Sequence, residues 1–333
     1  MNIGMTYDLK DDYLKQGLSH EEAAEFDSEV TIFGIESALQ SLGHTVDRIG
    51  NVTALVSRLA AGDAWDMVFN LAEGLRGLGR EAQVPALLDA WGIPYTFSGP
   101  DLMCLTLHKG MTNSVVRSLG VATADFVLIK RVEDVELVTL PFPLFVKPVA
   151  EGTSKGISSR SLVSSKEELS AMCVELLAIF KQPVLVETYL SGREFTVGIV
   201  GSGDESRIAG IIEVQAVGGG DVSAYTYENK QDWTKRVSYE LVDDEAAMAC
   251  GVLALKAWRG LGCLDAGRID VRLDHHSRPC FIEVNPLPGL NPESSDLPIL
   301  WRLGGGEYKA LIQGIFHSAV RRFRPVESFR GAA

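Results

Sequence analysis

The 333-residue chain carries 44 acidic against 31 basic side chains, a formal net charge of −13, which argues against a nucleic-acid surface because phosphate binding needs clustered Lys and Arg. Its 46% hydrophobic and 23% charged residues are an ordinary globular balance, and the length suits two or three domains at ~100–200 residues each. No apolar run approaches the ~20 residues that span a membrane, no basic-then-apolar leader opens the chain, and five widely spaced cysteines without a C-x-x-C pair read as reduced thiols of a cytoplasmic protein.

Residues 1–6 (MNIGMT) read as a short first strand. Residues 7–27 are an acidic insertion, mostly loop with some helix around Ser19–Glu25, where Ser19-His20-Glu21-Glu22 fits a capping box. Helical periodicity covers 29–42 and ends at Gly43; Thr45–Ile49 is a strand, Val52–Ala61 a helix and Asp66–Leu71 a buried strand. The glycine-rich loop 72–80 follows, then helix Glu81–Trp91 and strand Tyr95–Phe97. Strands alternating with helices imply a parallel sheet, whose ligands sit beyond the carboxyl ends of the strands. Loop 72–80, with Glu73, Arg76 and Arg80, lies at such an end. It is a candidate substrate surface or a plain glycine connector.

Asp101–Leu119 reads as one helix containing Lys109, which on its own would be a solvated lysine. Strand 125–129 and a short helix Val132–Leu137 precede Leu144–Val146, an apolar strand ended by Lys147. Loop 151–157 (EGTSKGI) mixes glycines with hydroxyls, which lets backbone N–H groups and side-chain donors approach phosphate. The G-x-x-x-x-G-K-[ST] pattern is absent, and such a loop is also a common surface turn. Helix Ser164–Phe180 has Ser165 as N-cap, with Glu167 and Glu168 in its first turn. Strands Val184–Glu187 and Arg193–Val200 flank a turn at Ser191-Gly192. Glu187 and Glu194 could therefore meet an adenine amino group and a ribose hydroxyl, or both face water. Strand 207–217 leads into a long polar loop, Gly218 to Lys235, holding Tyr225, Tyr227, Lys230 and Trp233; loops of this length are more often functional than idle. Asp243–Leu261 and Glu307–Phe323 are helices, and Pro325–Ala333 is a frayed tail.

The most informative stretch is Leu264–Ser295. Residues 268–273 (RIDVRL) and 280–285 (CFIEVN) alternate polar and apolar around the turn His275-His276-Ser277-Arg278, which reads as a β-hairpin. A four-residue turn pairs Asp274 with Pro279, Asp270 with Glu283 and Arg268 with Asn285. One face then carries Ile269, Val271, Leu273, Cys280, Ile282 and Val284 as core; the other carries Arg268, Asp270, Arg272, Phe281, Glu283 and Asn285. Directly opposed carboxylates repel, so Asp270 facing Glu283 wants a cation. Two carboxylates and an amide oxygen are hard ligands that suit Mg²⁺ in contact with phosphate. A solvated charged face is the alternative; the rigid loop that follows, Pro286-Leu287-Pro288-Gly289-Leu290-Asn291-Pro292, weighs against it.

Together these segments resemble the ATP-grasp superfamily and, within it, the D-alanine–D-alanine ligase family. The resemblance covers roughly residues 60–320 and is most specific in PLFVKPVAEGTSKGI, VLVETYLSGREFTVGI, GCLDAGRIDVRLD and FIEVNPLPGLNPESS; GIPYTFSG is similar to the ligase segment that closes the first domain. It implies an α/β and α+β architecture, the ATP-grasp fold. An N-terminal parallel-sheet α/β domain (residues 1–105) would precede two α+β domains (106–188 and 189–326, with a tail at 327–333) that clasp ATP. Lys109 and Lys147 would hold the α- and β-phosphates, with Thr153 and Ser154 folding over them. Glu187, Leu190 and Glu194 would receive the adenosine. Asp270, Glu283 and Asn285 would hold two Mg²⁺ ions, for which Mn²⁺ can substitute. Arg268 and the Gly289 N–H would form an oxyanion hole, Lys230 would reach the transferred phosphate, and Ser294 would meet the second substrate's carboxylate. The family implies small amino-acid or carboxylate substrates, no nucleic acid or membrane partner, and a homodimer by analogy.

The sequence departs from the family where the first substrate binds. The S-x-E-x-x-V-S motif that anchors the first amino group is missing, and the nearest fragment, Asp27-Ser28-Glu29-Val30, is not taken as its equivalent. The H-G-x-x-G-E-D-G segment reads Ala72-Glu73-Gly74 to Arg80-Glu81, without the histidine, and the tyrosine after the mobile-loop lysine is Gln231. The ATP half matches and the first-amino-acid half does not. A ligase joining another amino acid or small carboxylate to an amine is therefore as consistent as one making D-alanyl-D-alanine. A phosphotransferase would use the same clasp. A non-catalytic nucleotide module would have lost a metal ligand or lysine, and this chain has lost neither.

Overall fold

Three sheets organise the computed structural model, which describes residues 1–216 and 237–323. The first is parallel, in the order β2-β1-β3: β1 (Asn2–Thr6), β2 (Thr45–Gly50) and β3 (Met67–Asn70). Tyr95 adds only a single bridge, to Val68, so the expected strand at 95–97 is not a full one. Both faces are covered, as parallel sheets require. Ile3 and Met5 pack with Ile32, Ile35 and Leu39 of α2 (Glu29–Gln40) and with Leu311, Ile312, Ile315 and Phe316 of the last helix, α10 (Tyr308–Phe323). The opposite face meets α3 (Val52–Ala60) and α4 (Gln83–Trp91) through Leu55, Leu59, Trp65, Val68 and Leu88.

The second sheet is antiparallel, in the order β4-β7-β5-β6: β4 (Phe126–Ile129), β5 (Leu144–Pro148), β6 (Leu162–Val163) and β7 (Val184–Thr188). Leu169, Met172, Cys173 and Leu176 of α7 (Lys166–Phe180) seal one face. Its N-cap is Ser165, which accepts the Glu168 N–H as the sequence implies. The third sheet runs β10-β9-β8-β11-β12: β8 (Glu194–Val200), β9 (Arg207–Ala216), β10 (Val237–Leu241), β11 (Ala266–Leu273) and β12 (Pro279–Asn285). Underneath lies α8 (Glu245–Leu261), N-capped by Asp244, with Trp258 fully buried against the sheet.

Four local expectations are corrected. The insertion holds a helix, α1 (Lys10–Lys15), rather than one near Ser19–Glu25. Ser19 and Glu22 do form the reciprocal capping-box bonds (Glu22 N–H to Ser19 Oγ 3.2 Å, Ser19 N–H to Glu22 2.8 Å), yet only turns follow. The stretch 101–119 is two helices, α5 (Pro100–Leu107) and α6 (Lys109–Ser118). His108 leaves the helical region (φ −91°, ψ 88°) and its ring caps the new helix by accepting from the Met111 N–H. Lys109 is thereby the first residue of α6, with its N–H tied to the Val149 carbonyl at 3.0 Å. Third, the β11–β12 register places Arg268 opposite Asn285 and Asp270 opposite Glu283 as expected, but shifts after Asp270 to pair Val271 with Phe281 and Leu273 with Pro279. A bulge sends one extra residue past its partner and reverses the faces beyond it. Phe281 therefore joins the core, whereas Cys280 and Ile282 turn to the other side and pack by Ala124 and Leu190. The pairing of Asp274 with Pro279 is lost as well; Asp274 instead accepts from the His276 and Arg278 N–H groups to close the turn. Fourth, a helix absent from the sequence reading, α9 (Asp296–Leu303), lies against the third sheet, its Leu300 filling the space left by Gly198 and Gly210.

At Gly267 a Cβ would meet the Asn285 carbonyl oxygen and, at 2.7 Å, the Trp258 ring. Overpacking of this kind costs typically ~1–3 kcal/mol. Gly267→Ala is therefore expected to lower unfolding stability by about that amount in urea titration, with the change confined to the midpoint.

Candidate active site

The turn between β7 and β8 passes the chain from the second sheet to the third, and the cleft between them collects the charged residues. Lys147 on β5 and Glu187 on β7 are diagonal neighbours across paired strands, both nearly buried, with Nζ 2.7 Å from Oε2. Asn113 of α6 donates to the other Glu187 oxygen at 3.1 Å. Lys109 Nζ lies 3.2 Å from Glu283 Oε2 and donates to the Glu151 carbonyl at 2.7 Å. Arg268 pairs with Asp270 two residues along the same strand face, and at 3.4 Å with Asp296 of α9. Thr196, opposite Asp270 on β8, donates to it at 2.8 Å. Arg272 faces Glu194 in register at 3.4 Å, donates to the Tyr189 hydroxyl at 3.1 Å and lies over that ring.

Burial dominates the electrostatics. It pushes the Asp270 carboxyl up to about 6, against the pull of Arg268 and with a further push from Glu283. That push is the expected signature of opposed carboxylates out of water. Lys147 and Arg268 stay charged although burial works against them, because Glu187 and Glu283 face the first and Asp270, Asp296 and Glu283 the second. Above this floor the 151–157 loop carries Thr153 and Ser154 at φ 46° and 58°, a left-handed conformation that disfavours side chains. The Thr153 hydroxyl and the Asn285 Nδ2 are buried with no hydrogen-bond partner among the described residues, and buried polar atoms of this kind call for a ligand or other explanation. No group of three or more His, Cys, Asp and Glu residues gathers as metal ligands among the described residues. The hairpin set is two carboxylates and one amide, which fits a hard cation that shares its remaining positions with phosphate.

The cleft is lined by Lys109, Lys147, Ser154, Glu187, Leu190, Glu194, Arg268, Asp270 and Glu283. A second cavity adjoins it through Arg268, Tyr239 and Asp296, and is lined by Thr153, Gly289, Ser294 and Asp27. Asn285 lines a smaller space with Lys109, Glu283 and Gly289. The residues singled out in the sequence thus come together, with one exception: Lys230 lies outside the described residues, as do Tyr225, Tyr227 and Trp233. In loop 72–80 Arg80 turns inward and Arg76 is exposed.

The sequence reading passed over several residues that the fold brings here. Thr196, Tyr189 and Asn113 carry no motif; strand register reveals Thr196, and tertiary packing of the turn after β7 and of α6 brings in the other two. Arg272 and Asp296 had signals, the first on the polar strand face and the second directly after Ser294-Ser295. Asp27 belongs to the fragment set aside above. It precedes the N-cap Ser28 of α2, lines the second cavity, and burial with nearby Asp8 raises its carboxyl to about 7 against a hydrogen bond from Thr31.

Comparison with known proteins accords with this geometry. The model of the D-ala D-ala ligase C-terminus family matches residues 115–317. A D-alanine–D-alanine ligase of Bordetella petrii is 32% identical over 292 residues, covering 86% of this chain and 85% of that protein. An uncharacterized protein of Sinorhizobium fredii is also 32% identical, over 77% of this chain and 75% of its own. Among solved structures, the D-alanine–D-alanine ligase of Bacillus anthracis complexed with ATP superposes with a TM-score of 0.73 at 23% identity over 97% of this chain and 98% of that one. The VanG D-Ala:D-Ser ligase of Enterococcus faecalis gives 0.71 at 19% identity, over 96% and 99% of the two chains. With this cleft and these relatives, the chain belongs to the D-alanine–D-alanine ligase family, enzymes of ATP-grasp fold that form carbon–nitrogen bonds at the expense of ATP.

Proposed function

We propose that the protein activates an amino-acid carboxylate with ATP and joins it to the amine of a second small substrate, as a cytoplasmic enzyme that works as a homodimer. The observation that supports this most is Arg268, which lines the nucleotide cleft and the adjoining cavity at once. A guanidinium at that junction can face the carbonyl of a phosphorylated carboxyl formed on the cleft side while the amine approaches from the adjoining cavity. The substrate carboxylate attacks the γ-phosphate to give an acyl phosphate and ADP; the amine then adds to the carbonyl, and phosphate leaves. Lys109 and Lys147 neutralise the phosphate chain, Thr153 and Ser154 supply donors above it, and Glu187, Leu190 and Glu194 receive the adenosine. Magnesium, held by Asp270, Glu283 and Asn285, would supply charge neutralisation that favours phosphoryl transfer. Arg268 and the Gly289 N–H stabilise the oxyanion, Ser294 binds the second carboxylate, and Lys230 reaches the transferred phosphate.

Asp27 makes an amino acid the favoured first substrate. It is a carboxylate lining the second cavity with a hydroxyl partner and no cation beside it among the described residues, so a substrate ammonium would satisfy it. Phosphate release from ATP and Mg²⁺ across D- and L-amino-acid pairs and small carboxylates, with products read by mass, tests the reading. Amine-dependent release with a dipeptide or amide product supports it. Conversion of ATP to ADP with transfer of the γ-phosphate to a stable phosphorylated product, without amine and without free phosphate, would replace it with phosphotransfer.

Removing one oxyanion donor typically costs ~10²–10³ in rate, so Arg268→Ala should lose about that in kcat while calorimetric ATP binding largely survives. Asp27 must be ionised to hold an ammonium. Its raised carboxyl protonates as pH falls through about 7, so kcat/KM for the first substrate should fall on the acid side of that pH, since kcat/KM reports free-enzyme groups. In Asp27→Asn that acid limb should disappear, with kcat/KM low at every pH.

A further inference from the structure

The acidic insertion sends one side chain into the phosphate loop. Glu25 is 8% exposed. Its Oε1 accepts the Gly152 N–H at 2.7 Å, and its Oε2 lies 3.0 Å from Arg80 Nη2 and 3.2 Å from Lys155 Nζ. Arg80, itself buried, donates to the Ala150 carbonyl at 3.0 Å, and Lys155 also reaches Glu151 at 3.1 Å. One carboxylate therefore ties together three segments distant in sequence: the insertion, loop 72–80 and residues 150–155. A Cβ on Gly152 would run into the Glu25 carboxylate, so the close approach depends on glycine there.

Between these anchors the loop passes Thr153 and Ser154 in left-handed conformations, which persist only where the surroundings over-determine them. Other acids face the cluster: Glu73 and Glu81, whose carboxyls burial and their neighbours push up, and Glu151. Glu25 itself is held in the ionised form. Burial opposes its charge, but Arg80 and Lys155 hold its carboxyl below the ordinary range. Two residues on, Asp27 lines the second cavity.

We propose that Glu25, acting with Arg80, is a positioning residue for the nucleotide: it fixes residues 150–155 so that the Thr153 and Ser154 donors are presented to the phosphates before ATP arrives. The clamp comes from the same short segment that lines the second cavity, so the two sites share one support. The proposal concerns nucleotide binding and stands whatever acid and amine are joined.

The test uses the full chain, with Glu25→Ala, Glu25→Gln and Glu25→Asp. Calorimetric titration with AMP-PNP and Mg²⁺ gives Kd, and melting is followed in parallel. Losing a charge-assisted contact of this kind corresponds to roughly 10-fold weaker binding or more, expected for Ala and Gln, with Asp partly restoring affinity because it keeps the charge. ATP KM should rise in step while kcat changes less. A mainly structural tie would lower the melting temperature without moving Kd. Binding within about twofold of the unmutated protein in folded Glu25→Gln would overturn the proposal; should Glu25→Ala fail to fold, the Gln and Asp variants decide.

Discussion

Charges taken out of water must be paired, and the cleft is built around that constraint. Lys109, Lys147, Arg268 and Arg272 stand against Glu283, Glu187, Asp270 and Glu194. An unpaired buried ion costs several kcal/mol, so the cations are tolerable because a carboxylate carried on a strand stands beside each. Arg272 meets Glu194 directly across β11 and β8, Lys147 meets Glu187 on the diagonal across β5 and β7, and Asp270 and Glu283 sit side by side. The arrangement also explains how such a cleft can accept phosphate. A phosphate chain with its divalent cation brings both signs at once, so lysines and carboxylates can change partners without either being left alone.

The two halves of the site rest on different kinds of structure. The cleft that holds the paired lysines stands on paired strands, whose hydrogen bonds fix side-chain positions relative to one another. The adjoining cavity is assembled from the ends of segments far apart in the chain: Asp27 before α2, Ser294 before α9, and Gly289 in the loop after β12. The bulge in β12 joins the two. By reversing Phe281 and Ile282 it gives the third sheet a continuous core and turns an aliphatic side chain toward the part of the cleft lined by Leu190.

That difference accounts for what was readable in the sequence. The shared face of Arg268 and Asp270, and of Glu283 and Asn285, followed from alternation; their pairing followed from an assumed four-residue turn, and it holds because the longer turn and the bulge offset each other. The faces of residues 280–282 did not follow, since a bulge changes count without changing composition. The break at His108 was invisible because periodicity continues through it; the Val149 carbonyl that captures the Lys109 N–H is a tertiary partner. Asp27 stayed unread because the S-x-E-x-x-V-S motif is missing around it, and Glu25 looked like one more surface acid until Arg80 and Lys155 arrived beside it. The helix at 296–303 was missed although Ser295 and Asp296 begin it, because the proline at 298 obscured an eight-residue run.

The packing of α10 against the first sheet makes that sheet depend on segments far apart in the chain. Ile3 and Met5 are covered by Ile32, Ile35 and Leu39 of α2 and also by Leu311, Ile312, Ile315 and Phe316 of α10. Nearby, Asp265 accepts the Phe97 N–H at 2.7 Å and pairs with Arg322 at 2.6 Å, so the junction closes only when three remote segments are present. Part of the sheet's face is covered by α2 through contacts of modest sequence separation, but the cover is completed only by contacts of very high separation, the kind whose loop-closure entropy must be met before they stabilise anything and which slow folding.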